Sequence, residues 1–127
     1  SCGIGSRHKT RQHPREREIM MESLEKLYRV VCGRREQPQE GSYTCYLFDK
    51  GLDKICKKIG EEGAELIIAA KNGVHDEIQL EACDLLYHMM VLLVQTGVPL
   101  EDIDAELARR AEKIGNLKVM KNTDRLT

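Results

Sequence analysis

The sequence predicts an all-α fold, a bundle of about four to five helices, and three observations carry that prediction. Apolar residues recur at spacings of 3 and 4 in the long segments that follow Ser23. Gly33, Pro38, Gly41, Gly51, Gly73, Gly97 and Pro99 punctuate the chain between periodic segments, as turns and helix stops do. No run shows the period-two alternation of a half-buried strand. A length of 127 residues suits one domain. We expect a flexible basic arm or expression-tag remnant over residues 1–20, then one all-α domain over 21–127 that ends in a basic tail.

Each element has its own signal. Residues 1–20 hold five Lys/Arg against two Glu and show no sustained periodicity, so Met20 or Met21 is the expected natural start. Leu24, Leu27, Tyr28 and Val31 predict a first helix that stops near Gly33, followed by a polar connector to Gly41. Ser42 is placed to cap a short helix through Phe48, closed by Gly51. Aromatic residues cluster in this helix, and packing accounts for them. A long helix is expected from about Leu52 to Lys71, ended by Asn72-Gly73. It contains Gly60 and Gly63, each costing up to about 1 kcal/mol relative to alanine, which points to a close approach at that backbone or a local bend. The next helix runs from an Asp76 cap to about Thr96, with Gly97 as its stop and Pro99 opening the last one. That last helix carries Leu100, Ile103, Leu107 and Ala111 on one stripe to about Lys113.

The acids inside two of these helices carry the chemistry. Ile55, Ile59, Glu62, Leu66 and Ala69 fall at spacings of 4, 3, 4 and 3, and Ile78, Glu81, Leu85, His88 and Leu92 at 3, 4, 3 and 4. These are the apolar stripes of two packed helices, each with a carboxylate where leucine is expected. Burying an ionised carboxylate costs several kcal/mol unless it is paired or bound to a metal. Glu62 with Glu65, and Glu81 with Asp84, therefore read as a divalent-cation site, with Glu61 one turn before Glu65. Hard cations prefer oxygen ligands, so carboxylates without a neighbouring thiolate fit Mg²⁺ or Mn²⁺. The Glu-x-x-His of di-iron bundles is missing, because Leu85 stands where its glutamate would be. His88 reads as a satisfied core histidine that donates to a carboxylate. Lys54 and Lys58 share a stripe with Glu61 and Glu65 beside the acid seam, where lysines meet phosphate oxygens. The competing account of all these charges is a solvated helix face.

Composition narrows the partners. The formal net charge of −1 excludes bulk attraction to nucleic acid or to an anionic membrane. Five scattered cysteines without a C-x-x-C pair argue against a disulfide framework and against structural zinc, and predict reduced thiols in the cytoplasm. No signal-peptide pattern opens the sequence, and the longest apolar run, Leu85 to Val94, is about half of what a bilayer needs. Without a phosphate-binding Gly-x-x-x-x-Gly-Lys loop, the natural nucleophile is a metal-activated water.

The string Glu61-Glu62-x-x-Glu65, fifteen residues, Glu81-x-x-Asp84 resembles the metal signature of the MazG-like all-α nucleoside-triphosphate pyrophosphohydrolases. Gly41-Ser42-Tyr43-Thr44, Leu47, Lys50-Gly51, Asp53-Lys54-Ile55, Lys57-Lys58-Ile59-Gly60, Ala69-Ala70-Lys71-Asn72 and Asp84-Leu85-Leu86-Tyr87-His88 further resemble the phosphoribosyl-ATP pyrophosphohydrolase branch. The resemblance spans about Glu22 to Arg110. It implies hydrolysis of the α–β phosphoanhydride of phosphoribosyl-ATP in histidine biosynthesis, by a Mg²⁺-dependent helical homodimer. Glu62, Glu65, Glu81 and Asp84 would hold the cation. Glu61 would be a further ligand or the base that orients and deprotonates water, and Lys54 and Lys58 would bind phosphate. The alternative substrate is a canonical or damaged nucleotide in a house-cleaning role.

The homodimer has a second source in the residues. Leu80, Cys83, Tyr87, Met90 and Val94 form another stripe on the central helix, making it apolar nearly all round. Such a helix exceeds what a small monomer can cover and predicts a two-fold shared core.

Overall fold

A computed structural model of the chain describes residues 14–115, with side chains from residue 22 onward. Five helices occupy nearly all of this span: α1 Pro14–Glu36, α2 Tyr43–Lys50, α3 Leu52–Asn72, α4 His75–Thr96 and α5 Leu100–Gly115. The described residues contain no strand, so the fold is all-α. No single described helix is long and apolar enough to cross a membrane.

The first helix departs from expectation at both ends. It begins at Pro14, not near Ser23. Proline is pre-organised for the first helical position, and Arg15-Glu16-Arg17-Glu18 are good helix formers, so propensity sustains these turns without an apolar stripe. The seven residues 14–20 expected in the arm are therefore helical, while 1–13 and the basic tail beyond Gly115 lie outside the described residues. At its other end α1 runs through Gly33 to Glu36, with the Gln37 amide donating to the Gly33 carbonyl at 2.8 Å. Pro38 is the true stop, because it pushes the preceding residue out of helical geometry.

The remaining boundaries follow local chemistry. Ser42 caps α2, its Oγ accepting from the Cys45 amide at 3.2 Å. Gly73 and Gly97 close α3 and α4 in the left-handed conformation, at φ 70 and 79. Asp76 is not the cap of α4: Val74 holds that place without a side-chain bond. Asp76 and Glu77 lie in the first turn, where their charges still favour the helix dipole.

Residues up to Gly97 form one compact unit and those from Val98 another. In the first, α3 and α4 are the most extensively packed pair, and α1 and α2 close over α4. Val31, Leu47, Ile55, Ala69, Met90 and Val91 form the core, so all four helices contribute. Each large side chain buried there stabilises the fold by about 1.5–3 kcal/mol relative to exposure. Arg35 ties three elements together: its Nη1 donates to the Val94 carbonyl at 2.9 Å and its guanidinium lies 5.4 Å from the Phe48 ring centre. Cys45 fixes the connector, receiving the Gln39 amide and donating to the Arg34 carbonyl, each at 3.4 Å. In the second unit, Glu106 pairs with Arg109 and Arg110 along α5, and those hydrogen bonds lower its pKa to about 2.

The expected second stripe of α4 is divided. Met90 is buried and Tyr87 and Val94 half-buried within the chain, whereas Leu80 and Cys83 are exposed. α1 and α2 reach the later part of this stripe through Arg35 at Val94 and Thr44 at Tyr87, so its most exposed members are at the earlier end.

Two glycines predict opposite responses to alanine. Gly51 joins α2 to α3 at φ 93 and ψ −173, a region nearly exclusive to glycine, so Gly51→Ala should cost about 1–3 kcal/mol in urea unfolding. Gly60 lies in the interior of α3, and a Cβ there would meet nothing within 4 Å. No part of the described chain makes the close approach its sequence suggested, so Gly60→Ala should stabilise by about 0.5–1 kcal/mol.

Candidate active site

The two apolar stripes read from the sequence do face inward. Ile55, Glu62 and Ala69 of α3 are buried, with Ile59 and Leu66 half-buried between them. On α4, His88 is buried and Ile78, Glu81, Leu85 and Leu92 are half-buried. The carboxylates at leucine positions are thus carried into the α3–α4 seam.

Glu62 and His88 solve one half of the electrostatic problem. They are 6% and 4% exposed, and His88 Nδ1 lies 2.5 Å from Glu62 Oε1. The same nitrogen lies 3.0 Å from the Asp84 carbonyl oxygen. Both neighbours are acceptors, so Nδ1 carries the proton and donates to them. On the far side of the ring, Nε2 meets the Tyr43 hydroxyl at 3.1 Å. Tyr87 crosses the imidazole edge-on at 4.9 Å between ring centres, and its hydroxyl bonds that of Thr44. The expected satisfied histidine is therefore present, and its carboxylate partner is Glu62.

The other acids are left unresolved. Oε1 of Glu81 is buried without a hydrogen-bond partner. Burial raises the Glu81 pKa, reinforced by hydrogen bonding with Glu65 and by the negative charges of Glu65, Asp84 and Glu62. Glu81 and Glu65 line a hollow of about 260 Å³ with Ile68, Ala69 and Glu77. Among the described residues no three His, Cys, Asp or Glu side chains close around one point in this arrangement. An oxygen-only donor set with one orphaned buried oxygen nonetheless suits a hard divalent cation.

Earlier on α3 the acids have basic neighbours. Glu61 is exposed and pairs with Lys58 across 3.6 Å. Burial works to lower the Lys58 pKa, but Tyr43, Glu61 and Glu62 outweigh it and raise the value, keeping the ammonium charged. Burial likewise raises the Tyr43 pKa, against the lowering effect of Lys58. Lys58 thus stands between α2 and the acids, while half-buried Lys54 lies one turn earlier on α3. Packing is the role that the sequence assigns to the aromatic cluster that holds Tyr43. Its bond to His88 joins residues 45 apart in the chain, and no periodicity within one helix signals such a contact.

Residues 24–111 match the family described as Phosphoribosyl-ATP pyrophosphohydrolase. The chain belongs to that family. The match spans the acids of both helices together with Tyr43, Lys58 and His88. Among curated relatives, a Phosphoribosyl-ATP pyrophosphatase of Clostridium novyi is 54% identical over 75% of this chain and 86% of its own length. One from Limosilactobacillus fermentum is 54% identical over 77% of this chain and 92% of its own. A Histidine biosynthesis bifunctional protein HisIE of Caldanaerobacter subterraneus is 53% identical over 81% of this chain and 50% of its own length, so family members also occur within longer proteins.

The state of Glu81 has a measurable consequence. Its raised pKa means that ionisation opposes folding: the penalty is full above the raised value, fades as pH falls, and is gone below the ordinary carboxylate value of 4.5. In chelator, Glu81→Gln should therefore melt above the wild type near neutral pH and lose that advantage by about pH 4. Scanning calorimetry across that range checks both the sign and the window.

Proposed function

We propose that this chain hydrolyses the α–β phosphoanhydride of phosphoribosyl-ATP, giving phosphoribosyl-AMP and pyrophosphate, the second step of histidine biosynthesis. The observation that carries the reading is the family match, which runs through both acid-bearing helices, α3 and α4; Glu65 of one and Glu81 of the other line a common hollow.

Glu62, Glu65, Glu81 and Asp84 would hold Mg²⁺, with Mn²⁺ as a substitute. The bound cation would neutralise the triphosphate and make an adjacent water more acidic. Glu61, which is exposed, would orient the attacking water and take its proton as the oxygen bonds to the α-phosphorus, or would serve as a further ligand. The bridging P–O bond breaks, and pyrophosphate leaves with the electron pair. Lys58, and Lys54 one turn before it, meet phosphate oxygens as discrete positive charges. Lys58 is already held towards the acids by Glu61. The free thiols of Cys32, Cys45, Cys56 and Cys83 fit a reducing, cytoplasmic setting.

The assembly we infer is a two-fold homodimer. Ile67, Ile68 and Leu80 are 64%, 58% and 64% exposed near the turn from α3 to α4. Several large apolar side chains together on a small domain mark an interface. Because the later half of the α4 stripe is buried in its own chain, the shared core would be built from this earlier end.

Two measurements test these readings. Pyrophosphate release should be Mg²⁺-dependent and should favour phosphoribosyl-ATP over ATP, dCTP and dUTP; Asp84→Asn should reduce it by at least about 100-fold with unchanged helical circular dichroism. Preference for a deoxynucleotide would move the chain to the house-cleaning class, and full turnover by the variant would remove Asp84 from the site. Light scattering at micromolar concentration should give a dimer, with Leu80→Asp shifting it towards monomer. A stable, active wild-type monomer would overturn the shared core.

A further inference from the structure

We infer that His88 is a positioning residue for the cation site: its Nδ1–H holds the carboxylate of Glu62, and the Tyr43 hydroxyl at Nε2 supports the tautomer that this requires. The inference rests on the proposed role of the acids in holding a divalent cation.

The geometry supports each part of it. His88 Nδ1 faces Glu62 Oε1 at 2.5 Å and the Asp84 carbonyl at 3.0 Å, so one N–H joins the acid of α3 to the backbone of an acid on α4. The Asp84 carbonyl holds the imidazole on its own helix, and of the candidate ligand carboxylates it is that of Glu62 which the N–H fixes. The proton must stay on Nδ1, since neither neighbour can donate to that nitrogen. Nε2 is then free to accept, and the Tyr43 hydroxyl at 3.1 Å is the donor placed to meet it. Ring rotation is opposed on two sides, by Tyr87 at 4.9 Å and Tyr43 at 5.8 Å between centres, both edge-on.

A carboxylate with one oxygen held this way presents its other oxygen in a restricted set of directions. Less ordering is then required when a cation binds. Partners that orient a metal-binding side chain typically change affinity by about 10–100-fold when they are removed. Neither His88 nor Glu62 lines the hollow of Glu65 and Glu81, and the one candidate ligand side chain that His88 bonds is Glu62, so its action on a cation runs through that carboxylate.

Two amides separate the two nitrogens of the imidazole. Asparagine at this position places an amide where Nδ1 stands and can still donate to Glu62. Glutamine reaches the place of Nε2, keeping a partner for Tyr43 but leaving Glu62 Oε1 without its donor. The experiment is Mn²⁺ titration of the full chain by calorimetry, with thermal midpoints recorded for every variant. We expect His88→Gln to weaken Mn²⁺ binding by about 10–100-fold, His88→Asn to stay within about 3-fold of wild type, and Tyr43→Phe to fall between them. A histidine that serves packing alone would lower the midpoints and leave the affinity of the folded protein unchanged.

Equal affinity in wild type and His88→Gln would overturn the inference, as would equal losses in the asparagine and glutamine variants. Should His88→Gln fail to fold, Tyr43→Phe and His88→Asn decide: an unchanged Tyr43→Phe, or an asparagine variant more than about 10-fold weaker, overturns it. The underlying reading fails separately, if wild type binds no Mn²⁺ or Glu81→Gln binds it as tightly as wild type. Binding that is lost in Glu81→Gln but unaltered in His88→Gln would leave the cation site standing and remove His88 from it.

Discussion

The hydrogen bond between Glu62 and His88 is the constraint on which this helix pair depends. A carboxylate 6% exposed in an apolar seam is tolerable only with a partner, and a histidine 4% exposed needs the same. Each answers the other across 2.5 Å, and the remaining ring nitrogen is answered by Tyr43. Sliding α4 along α3 by one turn, about 5.4 Å, would leave both groups buried and unpaired. The bond therefore fixes register as well as neutralising a cost, and that register brings Glu65, Glu81 and Asp84 near one another.

The seam is asymmetric in a way that stability alone does not explain. At one end a polar pair is fully answered; at the other, Glu81 has a buried oxygen with no partner and a pKa raised by burial and neighbouring acids. A sequence shaped only for folding would place an aliphatic residue at Glu81, as Ile78, Leu85 and Leu92 do on the same stripe. Local strain of this kind accumulates where a bound group will relieve it. If the acids hold a cation as proposed, its binding to the folded state alone would add stability by mass action, so acids that weaken the free protein would strengthen the loaded one.

How much of this could be read in advance follows from the reach of helical periodicity. The inward faces of α3 and α4 were legible because positions 3 and 4 apart lie on one side of a helix, and the acids announced themselves by interrupting those stripes. His88 was legible as a donor to a carboxylate for the same reason. Periodicity did not reveal the start of α1, where Pro14 and a run of good helix formers act without an apolar face. It overstated the exposed part of α4, because whether Met90 and Val94 lie under α1 and α2 or under a second subunit depends on packing between helices distant in sequence. The hydroxyl of Tyr43 belongs to the same class: its contact exists only once α2 has docked.

That docking links two parts of the chemistry that the acids cannot join by themselves. On the proposed mechanism, carboxylates and a cation would act on the triphosphate, which nucleotides of many kinds share, so discrimination between substrates would have to originate in other residues. Helix α2, eight residues long, buries Leu47 in the core and sets Phe48 beneath Arg35. Its outer side, with Ser42, Tyr46 and Asp49, lines an open groove of about 650 Å³ that reaches Tyr43. Tyr43 is 45% exposed to that groove side yet hydrogen-bonded inward to His88, which holds Glu62. A displacement of α2 by even 1 Å would lengthen the Tyr43 contact beyond good hydrogen-bonding distance and loosen the imidazole that orients the acid. The short helix is therefore mechanically continuous with the carboxylates, through three side chains, although it supplies none of them.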